Sequence, residues 1–202
     1  MEAAAHENVM RGLWTLALAA ALPFAAMSQA ALEPLSWQGK LKYHADSTYS
    51  RAALVGFAAY AGVLQTFDVP TEWGKGGAGY GKRFASTVAW SGIHSTLAVG
   101  LDTALHQDPR YFRSGVGGWR RVRHSLRGTI LTRTDSGGET LSTWRLGSAY
   151  GAAFLSNEWY PDRLNTVRLG VLQGSMTLGF GFIANLGAEY WPDIRRKVLH
   201  KK

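Results

Sequence analysis

The chain has 202 residues, a length typical of one domain, and carries 22 Lys and Arg against 14 Asp and Glu, a formal net charge of +8. The basic balance favours anionic partners, either nucleic acid or acidic lipid head groups. The sequence has no cysteine, which excludes disulfides and thiolate metal sites, and its 24 glycines favour closely packed or membrane-embedded helices over ordinary water-soluble ones.

Residues 11–30 have the pattern of a secretory signal, in which Arg11 precedes an apolar run that is followed by Pro23 and small residues. Ser28-Gln-Ala30 fits the small-x-small pattern of a cleavage site. An uncleaved membrane anchor is the alternative interpretation. Export to the periplasm or outer membrane argues against nucleic acid and ATP as partners. The predicted organisation is a signal peptide at 1–30, a loosely held polar leader at 31–46 and a single helical domain at 47–202.

The uncharged, proline-free run 52–67 predicts the first helix of the domain, which Asp68-Val-Pro70 ends. Gly56, Ala59 and Gly62 give this helix a face of small residues. The glycine-rich residues 71–83 that follow predict a flexible connector.

Within this connector, Gly76-x-x-x-x-Gly81-Lys82 resembles a phosphate-binding loop, but Arg83 stands where coordination of Mg²⁺ needs Ser or Thr. We therefore predict a turn that holds Lys82 and Arg83 at a membrane surface.

Residues 84–105 predict a second helix, because Asp108-Pro109 disfavours continuation of the α conformation. Asp102 and His106 are four residues apart and would share a helix face. One interpretation of this pair is a metal ligand set or an acid–base pair. The interpretation we prefer is a C-terminal histidine that interacts with the helix dipole and with an aspartate one turn earlier.

Residues 106–135 form an arginine belt, with seven arginines against Asp108 and Asp135. Trp119, Val122, Leu126 and Ile130 fall at spacings of three, four and four, which predicts a helix with one apolar stripe. Such a helix is expected at a membrane interface, with the stripe in acyl chains and the guanidinium groups near phosphates. The alternative is a solvated cationic face on a soluble bundle. The seven arginines are Arg110, Arg113, Arg120, Arg121, Arg123, Arg127 and Arg133.

Two further helices are predicted after a turn at 132–138. Residues 146–157 are short, uncharged and small, with Gly147 and Gly151 in a GxxxG pattern. Residues 169–188 carry no charge over 20 residues, about the length needed to cross a bilayer, but their polar residues and glycines make this a weak spanning helix. Gly170 and Gly174 also predict close helix contact.

The predicted fold is all-α: a membrane-associated bundle of about four to five small-residue-rich helices. A small outer-membrane β-barrel is the alternative, because 180–191 could form a strand. Barrels need many segments in which apolar and polar residues alternate, and residues 52–64 and 84–101 do not alternate.

Four motifs resemble a set found in uncharacterised exported proteins of Gram-negative bacteria. The resemblance covers roughly residues 70–196 and implies an exported location, without implying any activity or catalytic residue. The motifs are His106-Gln-Asp-Pro-Arg-Tyr-Phe-Arg113, Thr132-Arg-Thr-Asp-Ser-Gly137, Ser156-Asn-Glu-Trp-Tyr-Pro161 and Trp191-Pro-Asp-Ile-Arg-Arg196.

The sequence predicts no cofactor, no metal site and no hydrolase nucleophile, because neither H-E-x-x-H nor G-x-S-x-G is present. A polar constellation remains, and it allows two interpretations. In the first, its members form ion pairs and caps that tie loops together, with Asp108 and Asp135 each paired to arginines. In the second, its arginines bind phosphate or carboxylate head groups bidentately. Besides arginines of the belt, the constellation contains His106, Asp108, Tyr111, Asp135, Asn157 and Tyr160.

We therefore predict an exported, membrane-associated helical protein, more in keeping with a binding protein than with an enzyme. It is expected to bind or handle anionic lipid at the seven arginines, or to scaffold an envelope complex with another envelope protein or a second copy of itself. The alternative is a hydrolase-like envelope enzyme that uses His106 and Asp108 on a lipid or glycan.

Overall fold

The computed structural model describes residues 33–199, with side chains to residue 196, so the predicted signal peptide lies outside the described residues. The described part is all-α, as predicted. It has six α-helices, one more than the four to five expected, and one two-stranded antiparallel sheet. The helices are α1 Trp37–Tyr49, α2 Arg51–Thr66, α3 Gly76–Ala104, α4 Trp119–Ile130, α5 Thr143–Ser156 and α6 Val167–Leu199, and the strands are β1 Leu131–Arg133 and β2 Glu139–Leu141.

Helix α1 occupies most of the segment predicted as a loosely held leader, and that prediction is wrong for its described part. The Ser36 hydroxyl caps the helix by accepting from the amide of Gly39 at 3.2 Å. Lys40 and His44 are four residues apart, so they share one face. Both are buried, at 2% and 4% exposure, because their polar atoms bind carboxylate and carbonyl groups of later segments.

Arg83 organises the junction between α2 and α3, and the prediction of a flexible connector there is wrong. Its side chain is fully buried, although the sequence predicted it at a membrane surface. Because five hydrogen bonds satisfy the guanidinium, this charge is tolerated inside the fold, and α3 begins at Gly76 within the predicted connector. The acceptors are the carbonyls of Val69, Pro70 and Gly74, Gln65 Oε1 and Asp68 Oδ1.

The helix predicted at 52–67 is confirmed as α2, but its face of small residues is not used for packing among the described residues. A Cβ built at Gly56 or Gly62 meets nothing within 4 Å. The helix packs on α3 with buried Ala61 and Leu64 instead.

Helices α3, α5 and α6 pack at very short range through the two predicted GxxxG pairs. A Cβ at Gly147 would stand 2.6 Å from Leu101 of α3, and one at Gly174 would stand 2.2 Å from the ring of Tyr150. Gly151 and Gly170 make equivalent close contacts with Leu97 and Phe154. The prediction of close helix contact at these glycines is confirmed.

Helix α4 is confirmed with the predicted apolar spacing, and it packs on the second half of α6 with its small polar face. Buried Ser125 and Thr129 contact Asn185, whose amide donates to the Ser125 carbonyl at 3.3 Å and to Thr129 Oγ1 at 3.1 Å. A Cβ at Gly128 would stand 2.7 Å from the ring of Tyr111. The apolar stripe therefore does not form the contact between the two helices.

Helix α6 is longer than the predicted 169–188 segment and includes most of the basic tail. Within the described residues, Val167–Arg196 is the one helix that is long and apolar enough to cross a membrane by length and composition. Only 17% of its most apolar window is buried inside the fold. The strand interpretation of 180–191 is wrong, since this segment lies inside α6 and each described strand has only three residues.

The distribution of polarity is inverted relative to an ordinary soluble domain, in which charged side chains are rarely buried without partners. Among the described residues, the buried side chains include Lys40, Arg83, Asp102 and Glu189, whereas few large apolar side chains are buried. Many large apolar side chains are exposed instead, including Trp37, Leu54, Val55, Trp119, Leu126, Phe154, Leu155, Val171 and Leu172.

Replacement of Arg83 by Met is expected to destabilise the fold by about 3–5 kcal/mol, because it leaves Asp68 and three carbonyls without their donor. The matched control is Lys82→Met, one residue earlier and exposed, which is expected to change the free energy of unfolding by less than about 0.5 kcal/mol. Chemical unfolding followed by circular dichroism measures both. Equal effects of the two substitutions would contradict the role given to Arg83.

Replacement of Gly174 by Ala is expected to destabilise by about 1–3 kcal/mol, because the new methyl overlaps the Tyr150 ring. Gly179→Ala lies on the same helix, where nothing stands within 4 Å, and is expected to be neutral or to stabilise by up to about 1 kcal/mol. The measurement is the unfolding free energy of the purified protein, and a Gly174→Ala variant as stable as Gly179→Ala would refute the close contact.

Candidate functional site

An open groove lies between α4 and the loop that precedes it, and we call it the arginine groove. Its volume is about 840 Å³, within the range of small-molecule sites. The wall combines guanidinium groups with apolar side chains. The lining residues are Phe112, Arg113, Ser114, Val116, Arg120, Arg123, His124, Leu126, Arg127, Ile130, Leu131 and Arg133.

The apolar stripe of α4 borders this groove and faces outward. Trp119 is 72% exposed, and Leu126 and Ile130 are about half exposed, while Val122 is partly buried. A helix on a soluble bundle turns such a stripe toward the core. Here the polar face is turned inward, so the described residues leave the stripe largely uncovered.

The seven arginines of the belt divide into two groups. Arg110, Arg121 and Arg127 form ion pairs within the chain, with Asp108, Asp193 and Glu139. For Arg113, Arg120, Arg123 and Arg133, no carboxylate lies within 4 Å among the residues whose side chains are described. Arg133 stacks over the ring of Phe112 at 4.4 Å. The unpaired group lines the arginine groove, where it is accessible to an anionic ligand.

The loop on the other side of the groove is fastened to α6 by buried Glu189. This carboxylate accepts from the Tyr111 hydroxyl at 2.9 Å and from the amide and hydroxyl of Ser114 at 2.6 and 2.8 Å. Burial raises the pKa of Tyr111 above its ordinary value. The loop therefore has a fixed position against α4, which keeps the groove open.

Asp108 is buried and its carboxylate binds Arg110, so the predicted pairing of Asp108 with an arginine is present. Arg110 donates to Asp108 from its backbone amide, Nε and Nη2, the last at 2.6 Å. This carboxylate raises the pKa of Arg110. Arg110 also donates to the carbonyl of Glu33 at 2.7 Å, which ties the start of the described chain to the belt.

Asp135 pairs with Lys40 at 2.8 Å and not with an arginine, which corrects the second predicted pair. Lys40 also donates to the carbonyl of Asp102 at 3.0 Å. Residues more than 90 positions apart are thereby joined in one buried network.

The predicted pairing of Asp102 with His106 is wrong. Helix α3 ends at Ala104, and His106 has a left-handed backbone with φ of 51°, so the two side chains do not share a helix face. Asp102 is fully buried and binds His44 Nε2 at 2.7 Å.

His106 is 82% exposed, and its nearest ion-pair partner is Asp135 at 3.7 Å. No hydrogen bond or ion pair joins it to Asp108, whose carboxylate binds Arg110, so the geometry does not support the two residues as an acid–base pair of a hydrolase-like enzyme.

The polar constellation does not form one site, because Asn157 and Tyr160 lie beyond the other end of α5. Helix α5 has 14 residues and is therefore about 20 Å long, and this length separates Asn157 and Tyr160 from the belt. Asn157 donates to the Thr166 carbonyl at 3.2 Å, and Tyr160 packs against Trp73 with ring centroids 5.2 Å apart. Both belong to the opposite end of the bundle.

Several residues at the arginine end were missed by the sequence reasoning. Arg145 lies on α5 and donates to the carbonyls of Gly128 and Pro109 at 2.6 and 3.4 Å. The sequence signal for Arg145 was a single charge directly before an uncharged helical run. It was missed because that helix was predicted to start at residue 146, one residue after Arg145. Lys40 and His44 were detectable only as a pair at helical spacing in a polar segment.

No family model, curated protein or solved structure matches this chain. The resemblance to exported Gram-negative proteins therefore stays a prediction.

Replacement of Asp108 by Ala is expected to destabilise by roughly 3 kcal/mol or more, because it removes the buried carboxylate that binds the partly buried guanidinium of Arg110. His106→Ala, two residues earlier and exposed, is expected to change stability by less than about 0.5 kcal/mol. Thermal and chemical unfolding measure both. An equal loss of stability in the two variants would show that His106 has a structural contact that its exposure does not indicate.

Proposed function

We propose that this protein is an exported, membrane-associated helical protein of the bacterial envelope that binds anionic lipid at the arginine groove and the adjacent apolar stripe. The observation that carries the proposal is the outward position of Trp119, Leu126 and Ile130 beside arginines that have no carboxylate partner among the described side chains. A bilayer surface supplies acyl chains for the former and phosphates for the latter.

The magnitudes support binding at an interface. Each basic residue near an anionic leaflet contributes about 1 kcal/mol, so Arg113, Arg120 and Arg123 together supply roughly 3 kcal/mol. Burial of an exposed large apolar side chain contributes about 1.5–3 kcal/mol. Burial of Trp119 and Leu126 therefore contributes at least as much binding free energy as the three charges. Because the two contributions are similar in size, we expect strong binding to need both the stripe and the arginines.

Helix α6 supports the same proposal at a second place. Its length and composition suit a membrane, and most of its apolar window is not buried within the fold. The part of α6 that packs on α4 carries Asn185 and Glu189 on its inner side, so its polar groups are directed toward the protein.

Scaffolding of an envelope complex, through another envelope protein or a second copy of the chain, is the second candidate function. Exposed Phe154, Leu155 and Leu172 favour it, because they form apolar surface near the meeting point of α5 and α6, away from the arginines. A scaffold that works only through this surface does not depend on lipid charge, which separates it from the first proposal.

The full chain is expected to float with vesicles that contain phosphatidylglycerol and to bind neutral phosphatidylcholine vesicles more weakly. Arg120→Gln combined with Arg123→Gln removes roughly 2 kcal/mol of attraction, which corresponds to about a 30-fold weaker affinity for anionic vesicles. Flotation at a series of lipid concentrations measures the affinity.

The control for charge is the double variant Lys75→Gln with Arg168→Gln, which removes two exposed cations at the other end of the bundle. It is expected to change the affinity by less than threefold. Binding that ignores lipid charge, or equal losses in the two double variants, would reject lipid recognition by the arginine groove.

A further inference from the structure

A second cavity lies beside the arginine groove, against the hairpin of β1 and β2, and we call it the hairpin cavity. Its volume is about 550 Å³, and its wall includes Arg110, Arg133 and Arg145. It shares Phe112, His124, Leu131 and Arg133 with the arginine groove, so the two spaces adjoin at these residues.

The carboxylates of the hairpin cavity are each engaged by a cation of the chain. They therefore do not neutralise the remaining guanidinium groups on the wall. The pairs are Asp108 with Arg110 at 2.6 Å, Asp135 with Lys40 at 2.8 Å and Glu139 with Arg127 at 2.5 Å.

Two cations of this wall, Arg133 and Arg145, lack a carboxylate within 4 Å among the described side chains. The Arg145 side chain donates only to backbone carbonyls and stacks on Trp144 at 4.5 Å. Burial lowers the pKa of Arg145 to about 10, because the guanidinium has lost hydration and the nearby Asp108 offsets this loss only in part. Arg133 stands where the hairpin cavity and the arginine groove adjoin.

We propose that the hairpin cavity binds the phosphate of a single phospholipid, with Arg133 and Arg145 as donors, while an acyl chain lies in the arginine groove. This inference rests on the proposed lipid binding and adds to it a site for one molecule. Guanidinium groups donate paired N–H bonds to phosphate oxygens. The cavity is larger than a bare phosphate needs, and the adjoining groove offers Val116, Leu126 and Ile130 to a hydrocarbon chain.

Calorimetric titration of the detergent-purified full chain tests the proposal with four probes. They are dihexanoylphosphatidylglycerol, glycerol 3-phosphate, inorganic phosphate and dihexanoylglycerol. The expected result is saturable one-to-one binding of the short-chain phospholipid, at least tenfold weaker binding of the two chain-free phosphates and no saturable binding of dihexanoylglycerol. Equal affinity for a chain-free phosphate overturns the lipid assignment, and the absence of saturable phospholipid binding overturns the site.

Arg145→Lys and Arg133→Gln are each expected to raise the Kd of the short-chain phospholipid at least tenfold. Arg145→Lys retains a positive charge and a donor for the Gly128 carbonyl but loses the paired donors. Arg133 is exposed, so its replacement tests the site even if the Arg145 variant does not fold. The control is Arg163→Gln, an exposed cation paired with Glu72 at the other end, with less than a twofold effect expected. Unchanged affinity in Arg133→Gln contradicts the assignment.

Vesicle flotation separates this inference from the proposed function. Arg145→Lys is expected to lose one-to-one binding while flotation on anionic vesicles stays within threefold, because Arg145 is outside the arginine groove. Wild-type protein that binds the short-chain lipid but does not float would refute surface binding and retain the cavity site. Wild-type protein that floats but does not bind the short-chain lipid one to one would refute the cavity site and retain surface binding.

Discussion

The short distance between the backbones of α3, α5 and α6 is the constraint on which the rest of the described structure depends. At Gly147 and Gly174 a single methyl group would overlap a side chain of the facing helix. Helices this close leave room between them only for small side chains such as Ala149, Ala152 and Ser148, which are buried. The large apolar side chains are consequently placed on the outside of the described bundle.

Charged hydrogen bonds at the two ends of the bundle complement this close packing. A buried charge is tolerated only when it is hydrogen-bonded, so Arg83 at one end and Lys40 at the other hold their surrounding segments in defined positions. At the Lys40 end this leaves most cations of the arginine groove without an acidic neighbour among the described residues. The same arrangement of charge supports both the fold and the proposed binding of lipid phosphate.

The sequence predicted the helices that are determined by residues close together in the chain. Uncharged, proline-free runs became α2, α5 and most of α3 and α6, and the spacing from Trp119 to Ile130 became α4. It did not predict α1, the burial of Arg83 or the partner of Asp135, because these depend on residues far away in the sequence. The arginine belt was recognised as one segment, but which of its arginines are paired depends on Asp193 and Glu139, in other helices and strands.

The bond from Arg110 to the Glu33 carbonyl fixes the first described residue at the arginine end of the bundle. Glu33 lies three positions after Ala30, the predicted cleavage position, which is at most roughly 10 Å of fully extended chain. If residues 11–30 remain as an anchor, the tether is too short to reach the far end of the bundle. Under that alternative, and if the arginine groove binds lipid as proposed, the anchor and the groove would meet the same bilayer at one end of the molecule.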